Sequence, residues 1–313
     1  MGSQINKKWT SLLKYLQRLR NDAICGPSLE VSRRIEIEEE IKLLKKDTSK
    51  FLLLIFAITA SVGSINHAKA ESLDSVSHIH HVKVVANKVH VLTHEGLYEL
   101  VGKNNMKLVG KEKIDVMGFA SLGNILIASG HPAVGSKMPN PIGVMKSLDG
   151  GLTWKSVSLS GKVDFHYLEG AGSDLYGADS QTGKLMYSAD SGVTWKTLGA
   201  NTFTDIAVSP EMSGMAVAIK DSQLLFTENA FKSTTRIKST LTMSQIEWRK
   251  SGLYGLSGNS LYKSTNSGKT WTKQSTFKGA PGILSASDQL MLVTVGSDIY
   301  TSKNEGKSFK KIS

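Results

Sequence analysis

One short pattern recurs along this chain at a nearly fixed interval. Ser147–Trp154 reads SLDGGLTW, Ser188–Trp195 reads SADSGVTW, Ser264–Trp271 reads STNSGKTW and Ser302–Phe309 reads SKNEGKSF. A decayed copy, TENAFKS, occupies Thr227–Ser233. The third positions, Asp149, Asp190, Asn229, Asn266 and Asn304, are spaced by 41, 39, 37 and 38 residues. Self-similarity at such a period means a repeat architecture, in which each unit buries its apolar face against the next.

Each copy lies between two β-prone runs, such as Gly143–Ser147 and Thr153–Val157, which is the sequence form of a hairpin. The Asp or Asn accepts backbone N–H bonds and closes the turn. The Gly supplies a positive φ. The Thr restarts the strand, and Trp154, Trp195 and Trp271 cover their hairpins with apolar surface. These roles make Asp149, Asp190, Asn266 and Asn304 structural rather than catalytic.

From His80 onward the chain divides into six units of four short strands. Their first strands are expected to begin near His80, Val116, Asp164, Thr204, Gln245 and Ile283. The expected fold is all-β: a six-bladed β-propeller over 71–313, with seven blades as the alternative. The last unit already owns a fourth strand within Ser308–Ile312, so closing the ring needs no swapped N-terminal strand. Ser72–Ser77 could add to an edge.

Ahead of the repeats, Lys45–Lys50 reads as a basic n-region, Phe51–Ala60 as an apolar h-region and Ala68-Lys-Ala70 as a cleavage site. Residues 45–70 are therefore expected to be a secretory signal peptide, with apolar length short of a membrane span. Residues 1–44 carry four of the six Arg and read as an upstream extension from a misassigned start, or as a helical or disordered segment. The expected location is secreted or at the cell surface, with membrane contact only through the signal peptide. A single Cys25 leaves the repeat region without any disulfide framework, which suits a Gram-positive exported domain.

The formal charge of +11 includes 12 basic and 7 acidic residues within 1–70. The remainder carries 26 basic and 20 acidic residues, a net +6 of scattered Lys without interleaved aromatics. That pattern argues against nucleic-acid binding.

In such a layout the turns made by the recurring pattern, between third and fourth strands, share one face. The loops leading into first strands, and those joining second to third strands, share the opposite face around the channel mouth. His78, His80, His81, Asp164, His166 and Asp205 come from the first kind of loop, and His94, His131, Asp179 and Asp221 from the second. The loop Ser129–Pro141 is long and carries three of the six Pro, as a binding loop or lid would. The candidate ligand-binding residues are His80, His94, His131, Asp164, His166 and Asp179. His80, His94, His131 and His166 are candidate ligands for a divalent transition metal, the one cofactor the residues suggest.

The octapeptide resembles the Asp-box, or BNR repeat, of sialidase-like β-propellers. A longer resemblance is carried by His78-Ile-His80, Thr93-His94-x-Gly96-Leu97, Ser129-Gly-His131-Pro132, Pro139-Asn-Pro-x-Gly143, Asp164-Phe-His166 and Tyr176-Gly-x-Asp179. These residues look like the bacterial F510_1955-type glycosylhydrolase family, over Ser77 to the C-terminus. The resemblance implies an exported propeller, similar also to photosystem II assembly factor-like propellers. The chain departs from the family at His81, where a Gly commonly follows His-Ile-His.

Fold does not establish activity. A sialidase holds the substrate carboxylate with three Arg, and only Arg236 and Arg249 follow Ala70. Another glycosidase needs two carboxylates about 5–10 Å apart, with Asp164, Asp179, Asp205 and Asp221 as candidates. The expectation is a non-catalytic, monomeric binding module for a protein, glycan or small ligand at the mouth. A non-sialidase glycosidase and a cell-wall-associated structural domain are the alternatives.

Overall fold

The computed structural model describes residues 70–313, apart from 77 and 86, and of Asp74 the backbone only. The segments 1–44 and 45–70 assigned from sequence lie outside these residues, except for Ala70. Among the described residues no helix is long and apolar enough to cross a membrane.

The strands form six antiparallel sheets in a ring, a six-bladed β-propeller. The first strands of the blades are Ile79–Val85, Asp115–Leu122, Phe165–Ala171, Asp205–Val208, Gln245–Arg249 and Pro281–Ala286. The later strands of each blade follow outward in sequence order. Glu71–Ser72 pairs with Asn105 and Met106 and adds a fifth strand at the outer edge of blade 1.

Alternation along each strand sends apolar side chains into the gaps between blades, and those gaps are the cores. Blade 1 contributes Leu92 and Leu97 to the first gap, where they meet Val116, Phe119 and Leu126 of blade 2. Blade 2 contributes Ile127 and Val144 to the next, against Phe165 and Leu175 of blade 3. Blade 6 closes on blade 1 in the same way, through Leu290, Leu292 and Ile299 against Val82, Val84 and Val89. The Val84 amide also donates to Ser285 Oγ at 3.0 Å, and Asn87 bonds Gln289 at 2.9 Å. Closure is by packing and side-chain bonds between blades 6 and 1, while blade 6 keeps its own fourth strand, Lys310–Lys311.

The recurrent octapeptides are the turns between third and fourth strands. In the second copy the Ser188 hydroxyl accepts from the Gly192 amide at 2.9 Å and donates to Asp190 at 2.8 Å. Asp190 accepts the Thr194 amide at 2.8 Å and the Thr194 hydroxyl at 2.6 Å. The Thr therefore closes the turn rather than restarting the strand, which begins at Lys196. The Gly takes φ near +90° in three copies: 91° at Gly151, 87° at Gly192 and 88° at Gly268. It also faces the preceding blade, since a Cβ on Gly192 would lie 3.1 Å from Val144. The aromatics bridge the same way. Trp154 packs in the gap between blades 1 and 2, Trp195 between 2 and 3, and Trp271 between 4 and 5. Each box thus fastens its blade to the one before it.

Candidate functional site

Antiparallel order puts the starts of all first strands and all second-to-third turns at one end of the ring. Two groups of donors converge there, each spanning a blade boundary. His80, His94 and Asp115 form one, and His131, Asp164 and His166 form the other.

In the first group His80 Nε2 lies 2.9 Å from Asp115 Oδ1 and 3.2 Å from His94 Nδ1. His94 Nδ1 lies 3.0 Å from Asp115 Oδ2. His80 and His94 belong to blade 1, and Asp115 opens blade 2. The His78 ring lies beside them, edge-on to His80 at 5.0 Å and tilted against His94 at 5.4 Å. Burial lowers the His80 pKa below the ordinary histidine value, against the Asp115 carboxylate, which raises it.

In the second group Asp164 Oδ2 lies 2.8 Å from His166 Nε2 and 3.4 Å from His131 Nε2. The same oxygen accepts the Ser180 hydroxyl at 2.6 Å. Asp164 is buried, and its Oδ1 has no hydrogen-bond partner among the described residues. His131 Nδ1 lies 2.8 Å from Asn140 Oδ1, which ties the long loop of blade 2 to the group.

Local backbone irregularity aims two of these rings. The pairing of Ile79 with Thr93 and of His81 with Leu92 leaves His80 as the extra residue of a β-bulge. Phe165 with Asp179 and Tyr167 with Ala178 leaves His166 in the same position of blade 3. In blade 2 the extra residue is Met117. A bulge interrupts strict alternation and redirects a side chain. Here it turns both imidazoles toward a carboxylate at the mouth.

The structure therefore brings together five of the six ligand residues named from sequence, in two sets rather than one. Asp179 joins neither. Its oxygens accept the Asp164 amide at 3.1 Å and the Thr182 hydroxyl at 2.6 Å, so it holds the Asp164 backbone in place. Asp205 is drawn into the blade wall, where it accepts from the Tyr167 hydroxyl at 3.1 Å and the Ile246 amide at 2.8 Å. Burial pushes its carboxyl up to about 7. His81 is strand-bound, and burial pushes it down to about 3. Asp221 lies exposed in a tight turn with φ 49°.

Asp115 was not among the residues singled out from sequence. A signal for it exists. Aligned on their bulges, the first strands read His78-Ile-His80, Asp115-Val-Met117 and Asp164-Phe-His166. Asp115 occupies the place of Asp164. The inner strands also carry an ion pair between Lys83 and Glu169, and another between Arg249 and Glu247 at 2.6 Å. Arg249, one of the two Arg residues after Ala70, is thus already engaged.

No protein-family model matches the sequence, and a search of curated proteins gives no match. Among solved structures, PorZ, an essential surface component of the type-IX secretion system of Porphyromonas gingivalis, superposes with a TM-score of 0.52 at 13% identity. The match covers 78% of this chain and 34% of PorZ. YCF48 bound to a D1 peptide gives a TM-score of 0.48 at 15% identity, covering 80% of this chain and 85% of that one. A chain of the nidogen/laminin complex gives 0.49 at 10%, covering 75% and 93%. The PorZ likeness is one of fold.

Proposed function

We propose that this chain is an exported propeller of the Asp-box type that serves as a ligand- or protein-binding module at the cell surface. The His-lined mouth is its binding end, and a divalent transition metal forms part of that end. The observation that carries this reading is the convergence of four imidazoles and two carboxylates from three blades on one mouth, beside a long loop tied to His131. Imidazole donors suit Zn, Cu, Fe or Ni. Export rests on the signal peptide expected at 45–70.

A glycosidase reading needs two carboxylates, and of its four candidates Asp179 and Asp205 are engaged by backbone amides and hydroxyls while Asp164 Oδ2 accepts the Ser180 hydroxyl. No observation favours it over the binding module.

The test is elemental analysis of the chain purified without a polyhistidine tag. The expected result is a transition metal that co-purifies with the wild type and is depleted in His131→Ala and His166→Ala. A wild-type chain that takes up no metal after incubation with Zn²⁺ refutes the metal-dependent form of the reading.

A further inference from the structure

We propose that the mouth holds two separate metal ions, one at His80–His94–Asp115 and one at His131–Asp164–His166, each with a coordination position open to solvent. Together the two ions bind an oxyanion, a carboxylate or a phosphate. This rests on the reading of the mouth as the binding end and says what that end recognises.

The donor spacing fits a shared ion. Tetrahedral ligands at 2.0–2.1 Å from a metal are separated from each other by about 3.3 Å. In the first group the two imidazole nitrogens are 3.2 Å apart, with His80 Nε2 2.9 Å from Asp115 Oδ1 and His94 Nδ1 3.0 Å from Asp115 Oδ2, and in the second Asp164 Oδ2 lies 2.8 and 3.4 Å from its two imidazoles. In both groups all three donor atoms lie within 4.8 Å of one another.

Proton accounting points the same way in the second group. Asn140 Oδ1 is an acceptor, so His131 Nδ1 carries the proton that bridges them. With a proton there, a neutral His131 ring has its lone pair at Nε2, the nitrogen that faces Asp164 Oδ2. A cation seated between Nε2 and Oδ2 would take both lone pairs. Asp164 Oδ1, the other oxygen of this carboxylate, is buried and has no partner among the described residues, so the group keeps unused acceptor capacity. The Asn140 contact is the outer-sphere bond that metal-ligating imidazoles usually make through their other nitrogen.

The sites differ from closed structural ones. A structural metal takes four protein ligands, whereas three protein ligands leave a position for water or an exogenous donor. The side chains of His94 and His166 are 47% and 43% exposed, so each group opens to solvent on one side.

The two groups are also neighbours. Asp115 of the first and His131 of the second are direct cross-strand partners in blade 2. Such partners have Cα atoms about 5 Å apart. One strand pair therefore contributes a ligand to each side. A divalent ion with one carboxylate leaves a net +1 at each site, and two such sites side by side favour an anion that donates oxygen.

The experiment uses the full chain, untagged and stripped with a chelator. Zn²⁺ is titrated by calorimetry into the wild type, His94→Gln, His166→Gln and the double variant. Both imidazoles are half-exposed, so these changes spare the fold, and circular dichroism verifies that. Two Zn²⁺ per wild-type chain, one per single variant and none in the double are expected. Co²⁺ is then substituted, and its visible absorption is followed as inorganic phosphate or acetate is added. A shifted spectrum is expected with at least one of them, and the stronger response assigns the oxyanion.

A single ion in the wild type, or both ions lost in either single variant, overturns the two-site proposal while leaving a metal-bearing mouth intact. A Co²⁺ spectrum unmoved by both anions overturns the oxyanion assignment. A wild type that binds neither Zn²⁺ nor Co²⁺ overturns the proposal together with the metal-dependent reading beneath it.

Discussion

The box turn makes a sharp prediction at Ser188. Its side chain is 1% exposed, and its hydroxyl accepts the Gly192 amide at 2.9 Å while donating to Asp190 at 2.8 Å. Ser188→Ala removes the only acceptor shown for a buried backbone N–H. Stranding one such donor costs about 1–3 kcal/mol. The bond to Asp190 matters less, because that carboxylate is exposed and water replaces the lost donor. The expected loss is about 2 kcal/mol, which in a domain of this size lowers Tm by about 4–8 °C. Ser188→Thr is the control, and the chain itself contains the precedent. In the decayed copy the Thr227 hydroxyl accepts the Phe231 amide at 3.0 Å and the Asn229 amide at 3.2 Å, so Thr fits the role. Thermal unfolding by circular dichroism at one fixed scan rate compares the three proteins. The Ala variant should melt well below the wild type and the Thr variant close to it. Equal melting of wild type and Ser188→Ala, or an equal fall in both variants, would show that the hydroxyl bond does not hold the turn.

Asp190→Asn should be nearly neutral at pH 7, since Asn266 and Asn304 make the same turn with their amides donating at 2.9 Å to Thr270 and Ser308. The Thr194 hydroxyl and amide hold Asp190 down at about 2, so its stabilising contribution is present above about 3.8 and is lost as pH falls through 2. Melts at pH 4 and pH 2 should therefore show a smaller loss in the Asn variant than in the wild type. Asn140→Ala should weaken metal binding at the His131 site about 10–100-fold and leave the His80 site unchanged, as read by Zn²⁺ calorimetry. Gly130→Ala places a Cβ 2.1 Å from the Asp115 carbonyl oxygen and 2.9 Å from the Met117 amide, at φ +142°. It should cost at least about 1–3 kcal/mol in backbone strain and disturb metal binding at both groups, because Gly130 precedes His131 on its strand and pairs with Val116, the neighbour of Asp115.

The propeller was legible because its fastening device is local. Eight consecutive residues make the turn, position the Gly against the preceding blade and deliver the Trp into the gap, so the repeat carries its structural reason within itself. The same locality explains why the decayed copy still forms the turn. Phe231 takes the Gly place with φ 60°, and Thr227 and Asn229 keep the bonds.

The mouth was legible only in outline, and the reason is physical. Strand order alone sends His80, His94, His131, Asp164 and His166 to one end of the ring. Their division into two groups depends on which neighbour each side chain meets across a blade boundary, and no short stretch of sequence encodes that. Alternation would place His78 and His80 on one face, but the bulge at His80 breaks the count, and His80 rather than His78 supplies the donor atom of the first group. Asp179 and Asp164 look alike in the sequence. They differ in what donates to them: Asp179 is spent on an amide and a hydroxyl within its own blade, while Asp164 keeps an oxygen unpartnered and faces two imidazoles. Asp115 was hidden for the opposite reason, since it has no His of its own blade close to it along the chain, and the side-chain partners shown for it, His80 and His94, come from blade 1. Aligning the first strands on their bulge residues exposes it, because the bulge fixes where each side chain near the mouth points. In a propeller of this kind, the informative unit for finding a site is the register of the first strand, and the box motif reports only on the opposite face.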